Sequence, residues 1–153
     1  MKRAAIAIAS VLVLVLVSAA FAAIRVKHFE GNTDDELCGA NSQVTCEVSF
    51  ETTYRNKRAV EVDNLGFAGI PLECDQGTIV AQSLEGLEID FVPVNRKRKF
   101  HGYMTGEPEA TLTVKGRFSK NYKTVRGTLV NTLNDPPRAT NCTTGTDNFT
   151  ATR

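Results

Sequence analysis

Arg96-Lys97-Arg98-Lys99-Phe100-His101 is the densest chemical signal in this sequence. Four consecutive cations followed by an imidazole raise the local positive potential, even on a chain that is neutral overall. Such a cluster suits contact with a polyanion: an acidic glycan, a wall polymer, nucleic acid or lipid headgroups. The competing reading is structural. Lys and Arg on a strand edge or hairpin loop discourage one sheet from pairing with another. Arg96, Lys97, Arg98, Lys99 and His101 are the candidate binding residues, with an anionic glycan or wall polymer as the expected partner.

Other chemistries have weaker support. After residue 22 the serines are Ser42, Ser49, Ser83 and Ser119, and none sits in a Gly-x-Ser-x-Gly turn. A triad is defined by geometry and not by order, and nothing in the sequence points to one. Glu47, Glu51, Glu88 and Asp90 could supply paired carboxylates for glycoside hydrolysis. They alternate with apolar residues, as the solvated face of a sheet does. Asp34-Asp35-Glu36 offers hard oxygens, yet three adjacent acids cannot all point at one calcium ion. No Cys-x-x-Cys pair occurs, and His28 and His101 have no metal-like spacing to the cysteines. No metal and no cofactor is expected. The chain has no Trp, which removes the usual sugar-stacking platform and the signatures of lipocalins and immunoglobulin domains. Asn141-Cys142-Thr143 and Asn148-Phe149-Thr150 match the glycosylation sequon.

The N-terminus and the cysteines set the compartment. Met1-Lys2-Arg3 is a basic start, Ala4 to Val17 is uncharged, and Ala20-Phe21-Ala22 ends the run with small residues at the cleavage positions. This pattern reads as a secretory signal peptide over residues 1–22, removed to leave one secreted domain over 23–153. An uncleaved anchor over Ala4 to Ile24 is the alternative. Cys38, Cys46, Cys74 and Cys142 would then meet an oxidising environment. Four cysteines allow three pairings, and Cys38–Cys46 with Cys74–Cys142 is the favoured one. Losing Lys2 and Arg3 brings the formal charge of +1 close to neutral. Near-neutrality speaks against a general binder of nucleic acid or membrane surfaces.

Period-two alternation runs through the rest of the chain. Ile24 to Phe29 opens a strand. Val44, Cys46, Val48 and Phe50 alternate with polar residues, Tyr54 to Arg58 turns, and Val60 and Val62 lead the next strand. Leu65 and Phe67 have the opposite parity, which puts a bulge near Asp63-Asn64. Ile70-Pro71-Leu72 reaches Cys74, and proline confines that stretch to an edge or a strand start. Thr78 to Leu84 and Leu87 to Val94 suggest a hairpin across Glu85-Gly86. Arg96 to Met104 is basic and mixed. Ala110 to Phe118 and Val125 to Leu129 form antiparallel partners around Lys120 to Lys123. Asn134-Asp135-Pro136-Pro137 is a loop, and Thr146 to Arg153 is the last strand. The expected fold is all-β, an antiparallel two-sheet sandwich or flattened barrel of about eight or nine strands.

Several short motifs recur together in the C-terminal third. They are Gly116-Arg117-Phe118, Val125-Arg126-Gly127-Thr128-Leu129, Cys142-Thr143-Thr144-Gly145 and Phe149-Thr150-Ala151-Thr152-Arg153, with Phe29-x-Gly31-x-Thr33 upstream. In this order they resemble a group of uncharacterised small secreted bacterial β-sandwich proteins. The Asp34-Asp35-Glu36 loop, Cys38 and Cys46 depart from that pattern. The resemblance implies a fold and carries no activity or catalytic residues.

The sequence therefore reads as a secreted, disulfide-bonded, non-catalytic β-sandwich, with a β-barrel carrier of a small apolar ligand as the alternative and a hydrolase third. Intact-mass analysis of the exported protein should give Ala23 as its first residue. A membrane-retained product that keeps Met1 would support the anchor.

Overall fold

The computed structural model describes residues 24–34, 38, 46–81, 89–107 and 109–153. The expected signal segment, the cleavage site, Asp35-Glu36, Val44, Glu85-Gly86 and Glu88 lie outside them. The described residues form eleven antiparallel strands. These are β1 (Arg25–Thr33), β2 (Glu47–Arg55), β3 (Arg58–Ala68), β4 (Ile70–Cys74), β5 (Gly77–Ala81), β6 (Val92–Pro93), β7 (Lys99–Gly106), β8 (Ala110–Phe118), β9 (Thr124–Asp135), β10 (Ala139–Thr143) and β11 (Asp147–Thr152). The eight or nine expected strands fall short because the short β10 carries little alternation to read and β7 falls in the stretch that reads only as basic and mixed.

All eleven strands belong to one sheet. β9 is its hub: β8 lies along one edge, while β11 and β10 share the other. From β9 one arm runs through β8 to β7, and another runs through β11, β1, β2 and β3 to β6. β6 and β7 are not paired, so the sheet does not close into a barrel. It folds over, and rings from its two arms meet across the core. Phe50 on β2 lies 6.2 Å from Phe100 on β7, and Phe29 on β1 lies edge-on 5.7 Å from Phe118 on β8. The expected facing layers are thus two parts of one sheet.

Of the apolar positions in the alternating segments, Val48, Phe50, Val62, Leu112, Val114, Phe118, Leu129 and Phe149 are buried. Val60 is only half-buried. The β2–β3 ladder carries two bulges. One places Asn64 and Leu65 opposite Phe50, where the parity change predicts it, and the other leaves Val60 as the extra residue between Ala59 and Glu61. Each bulge shifts parity by one, so Ala59 turns inward in place of Val60. The expected hairpin across Glu85-Gly86 has its turn outside the described residues. Of its two arms, the described part of the first, β5, pairs with β4 around a turn at Gly77 (φ 116°), and that of the second, β6, pairs with β3. Gly77 reaches that φ at no steric cost. Asn134 and Asp135, expected in a loop, extend β9, and Pro136–Arg138 make the turn.

Both favoured disulfides are present, Cys38–Cys46 and Cys74–Cys142. β4 pairs with β10 only at Glu73 and Thr143, and the long link fastens the β4–β5 hairpin to the main sheet together with hydrogen bonds of Asp75 and Gln76 with Thr140 and of Asp75 with Asn141. Leu72, Ala139 and Cys142 form a small second core beneath it.

One row across the sheet explains the tight folding. Phe100, Gly116, Gly127 and Phe149 are successive register partners on β7, β8, β9 and β11. A Cβ at Gly116 would fall inside the Phe100 ring. One at Gly127 would meet both the Phe149 ring and the backbone oxygen of Lys115. The rings lie over the glycines because no side chain stands there. Gly127→Ala should destabilise the fold by about 1–3 kcal/mol and Phe118→Ala by about 3–5 kcal/mol, both read from urea denaturation midpoints. Unchanged midpoints would mean that these residues do not face the core.

Candidate functional site

The basic run does not continue along a strand. Asn95 bends it. Its Oδ1 accepts the N–H groups of Lys97 (2.9 Å) and Lys99 (3.0 Å), and its carbonyl accepts Arg98 N–H (2.9 Å). Its own N–H donates to the Lys99 carbonyl (2.9 Å). Asparagine suits such turns because its short amide bonds backbone two residues on. Arg98 takes a left-handed conformation (φ 64°), and its carbonyl accepts Phe118 N–H. The run is therefore divided. Arg96 and Lys97 stand exposed at the turn tip, Arg98 is half-buried against β8, and Lys99 and His101 point outward from β7.

Strand register brings other cations to Lys99 and His101. Lys99 pairs with Arg117, which pairs with Arg126, in a row across β7, β8 and β9. The next row is His101, Lys115 and Thr128. Neighbouring strands lie about 4.8 Å apart, and outward side chains along one strand about 6.7 Å apart. These rows line a groove of about 610 Å³. A second depression of about 450 Å³ adjoins it, lined by Arg98, Ser119, Lys120 and Thr124, and sharing Arg117 and Arg126. None of these cations is ion-paired among the described residues. Lys115, Arg117 and Arg126 escaped the sequence reading because they sit singly in other strands, and Lys120 because it stands alone in a turn. The available signal in the strands was parity: Lys115, Arg117 and Arg126 each flank a position that faces inward.

A third depression of about 500 Å³ lies beyond the β8–β9 turn, lined by Arg25, Lys27, Asn56, Lys57, Asn121 and Arg153 around Tyr54. The Arg153 guanidinium stands 5.2 Å from the centre of the Tyr54 ring, and Tyr54 donates its hydroxyl to the Tyr122 carbonyl at 3.0 Å. Burial raises the Tyr54 pKa above 10.0, with Arg153 opposing the shift and Tyr122 adding to it.

These three depressions gather at one end of the sheet. The end of β2, the start of β3, the end of β6, the start of β7, the end of β8 and the starts of β1 and β9 all meet there. From Arg25 onward, every Lys and Arg except Lys115 and Arg138 lies in its turns or in the outermost three residues of its strands. Among the described residues no Asp or Glu side chain does; Glu61, one position further into β3 and opposite Thr53 and Pro93, comes nearest. Asp34, Glu47, Glu107, Glu109, Asp135 and Asp147 lie at the opposite end. Net charge near zero thus conceals a strong separation of charge, and the argument from neutrality against surface binding does not carry over to this end.

The other candidate groups are differently placed. Glu51 and Asp90 both bond Asn64 and so brace the bulge there. His28 pairs with Glu30 at 3.1 Å on an open sheet face, beside Ser49 and Glu47. No hydrogen bond joins Ser49 to His28, and both partners of the His28 pair are more than half exposed. Ionised side chains in open water gain little from such a pair.

Comparison with family models, curated proteins and solved structures finds no match to this chain.

Tyr54 yields a pH prediction. Its raised pKa means that the folded state holds the phenolic proton more tightly than the unfolded chain does. The associated stability is complete below pH 10.0 and is lost as pH rises through the folded pKa. Tyrosinate absorbance should include a late-titrating component that Tyr54→Phe removes. Titration of all tyrosines together at the ordinary value would contradict the burial of Tyr54.

Proposed function

We propose that this chain is a secreted, non-catalytic β-sandwich module that binds an anionic polymer, an acidic glycan or wall polymer, through the outer face of β7, β8 and β9. One observation carries the reading: register aligns Lys99, Arg117 and Arg126 in a row beside His101 and Lys115, with no carboxylate among the lining residues. An unpaired cation row costs stability through self-repulsion, and a bound polyanion relieves that cost. The two disulfides agree with an oxidising compartment and so with export. The resemblance to secreted bacterial β-sandwich proteins is part of the same reading.

The carrier alternative needs an interior cavity. The interior of the described residues is taken up by Phe29, Phe50, Phe118, Phe149 and their aliphatic neighbours. The groove is on the outside, and it is cationic.

Binding through this face should be electrostatic and should weaken steeply with salt. The protein should be retained on a heparin column at low salt. Replacing Lys115, Arg117 and Arg126 together by Ser should abolish retention and change the unfolding free energy by no more than ordinary surface substitutions do, about ±0.5 kcal/mol each. Replacing Arg96 and Lys97, at the turn tip, should advance elution only slightly. Equal elution of the triple variant and the parent would remove this face as the binding site.

A further inference from the structure

We infer that the ligand is a linear acidic polysaccharide followed along one continuous cationic track, and not a compact anion held at a single point. This rests on the polyanion reading above and extends it to the class and length of ligand.

Continuity comes from shared residues. Arg117 and Arg126 line both the first groove and the second depression, so the two adjoin across these two cationic side chains. The second depression ends at Ser119 and Lys120, and the third begins at the next residue of the same turn, Asn121. Arg153 N–H donates to the Lys123 carbonyl and so joins the turn to the end of β11, where Arg153 lines the third depression. From Lys115 to Ser119 alone the track follows about 13 Å of β8, at about 3.3 Å per residue. A compact anion would fill one depression and leave the cations of the other two unneutralised.

Topography and side-chain chemistry then select the class. The cations line concave depressions, which a flexible chain can enter and a flat lipid surface cannot. Neutral hydrogen-bonding groups alternate with the charges. Thr128, Thr124 and Asn56, in the first, second and third depressions, have no side-chain hydrogen bond among the described residues. Charges interspersed with hydroxyls and amides match a polymer that carries both acidic groups and hydroxyls. Single-stranded nucleic acid is instead held by aromatic rings on which bases stack. Phe100, Phe118 and Tyr54 touch the depressions, but their rings are buried. The exposed rings, Tyr103 one outward position beyond His101 and Phe91 two residues before Pro93, are not among the lining residues.

The test compares a heparin disaccharide with full-length heparin by calorimetric titration at low salt. The second contact along a track is intramolecular, so the polymer should bind about a hundredfold more tightly than the disaccharide. Arg25→Ser, Lys27→Ser and Lys57→Asn together should remove most of that gain. Asn is chosen at position 57 because φ is 63° there. Should that variant fold poorly, Lys120→Ser with Lys123→Ser interrupts the track at the turn and serves the same purpose. Equal affinity for the two ligands, or a triple variant that binds the polymer as the parent does, would overturn the track while leaving anion binding intact. Absence of binding to both ligands would overturn the polyanion reading itself. Single-stranded DNA competing as well as heparin at equal charge would overturn the polysaccharide class.

Discussion

The sheet has one apolar face and must fold over to bury it, and the row Phe100, Gly116, Gly127 and Phe149 is the constraint that permits this. Two glycines side by side leave room for two rings to lie across their backbones. Any side chain at either glycine would hold the rings away from the strands and open the core. The same row fixes the outer face. Alternation is strict, so if Phe100 faces inward then Lys99 and His101 face outward. If Gly116 faces inward, Lys115 and Arg117 face outward, and Gly127 does the same for Arg126 and Thr128. The cationic groove is thus the reverse side of the aromatic and glycine row.

Charge separation follows from where the turns fall. Hairpin connections alternate between the two ends of an antiparallel sheet, and those at one end are Asn56-Lys57, the segment after β6, and Ser119 to Lys123. Each carries Lys or Arg, and the strand termini beside them add more. A molecule so divided has a large dipole. An approaching polyanion would meet the basic end first, and the acidic end would be turned away. A formal charge near zero reports neither property, because it sums over positions that lie at opposite ends of the molecule.

The disulfides have different tasks. Cys74–Cys142 closes a long loop and, on the chain-entropy account, contributes about 4 kcal/mol against the unfolded chain. It also fastens a hairpin that has almost no ladder of its own to the main sheet. Cys38–Cys46 links Cys38 to the residue just ahead of β2, where Thr33 N–H already donates to the Cys46 carbonyl. The first joins the neighbouring strands β4 and β10, far apart in sequence, and the second is local.

Much of this protein was written in local pattern. Alternation identified the strands around Phe50, Val114, Leu129 and Phe149, and a break in parity located the bulge at Asn64. Both depend only on neighbours along the chain. The sequence also marked Arg96 to His101 as the basic cluster. It could not tell that Asn95 bends that cluster, which leaves Arg96 and Lys97 at a tip and sends Lys99 and His101 to a sheet face. Nor could it bring Lys115, Arg117 and Arg126 to them. Those residues are brought together by pairing between strands, and register depends on how two distant segments bury their apolar sides together. The pairing of β6 with β3 was settled in the same way. Residue type and period determined which positions face in or out, and only the tertiary fold decided which outward positions became neighbours.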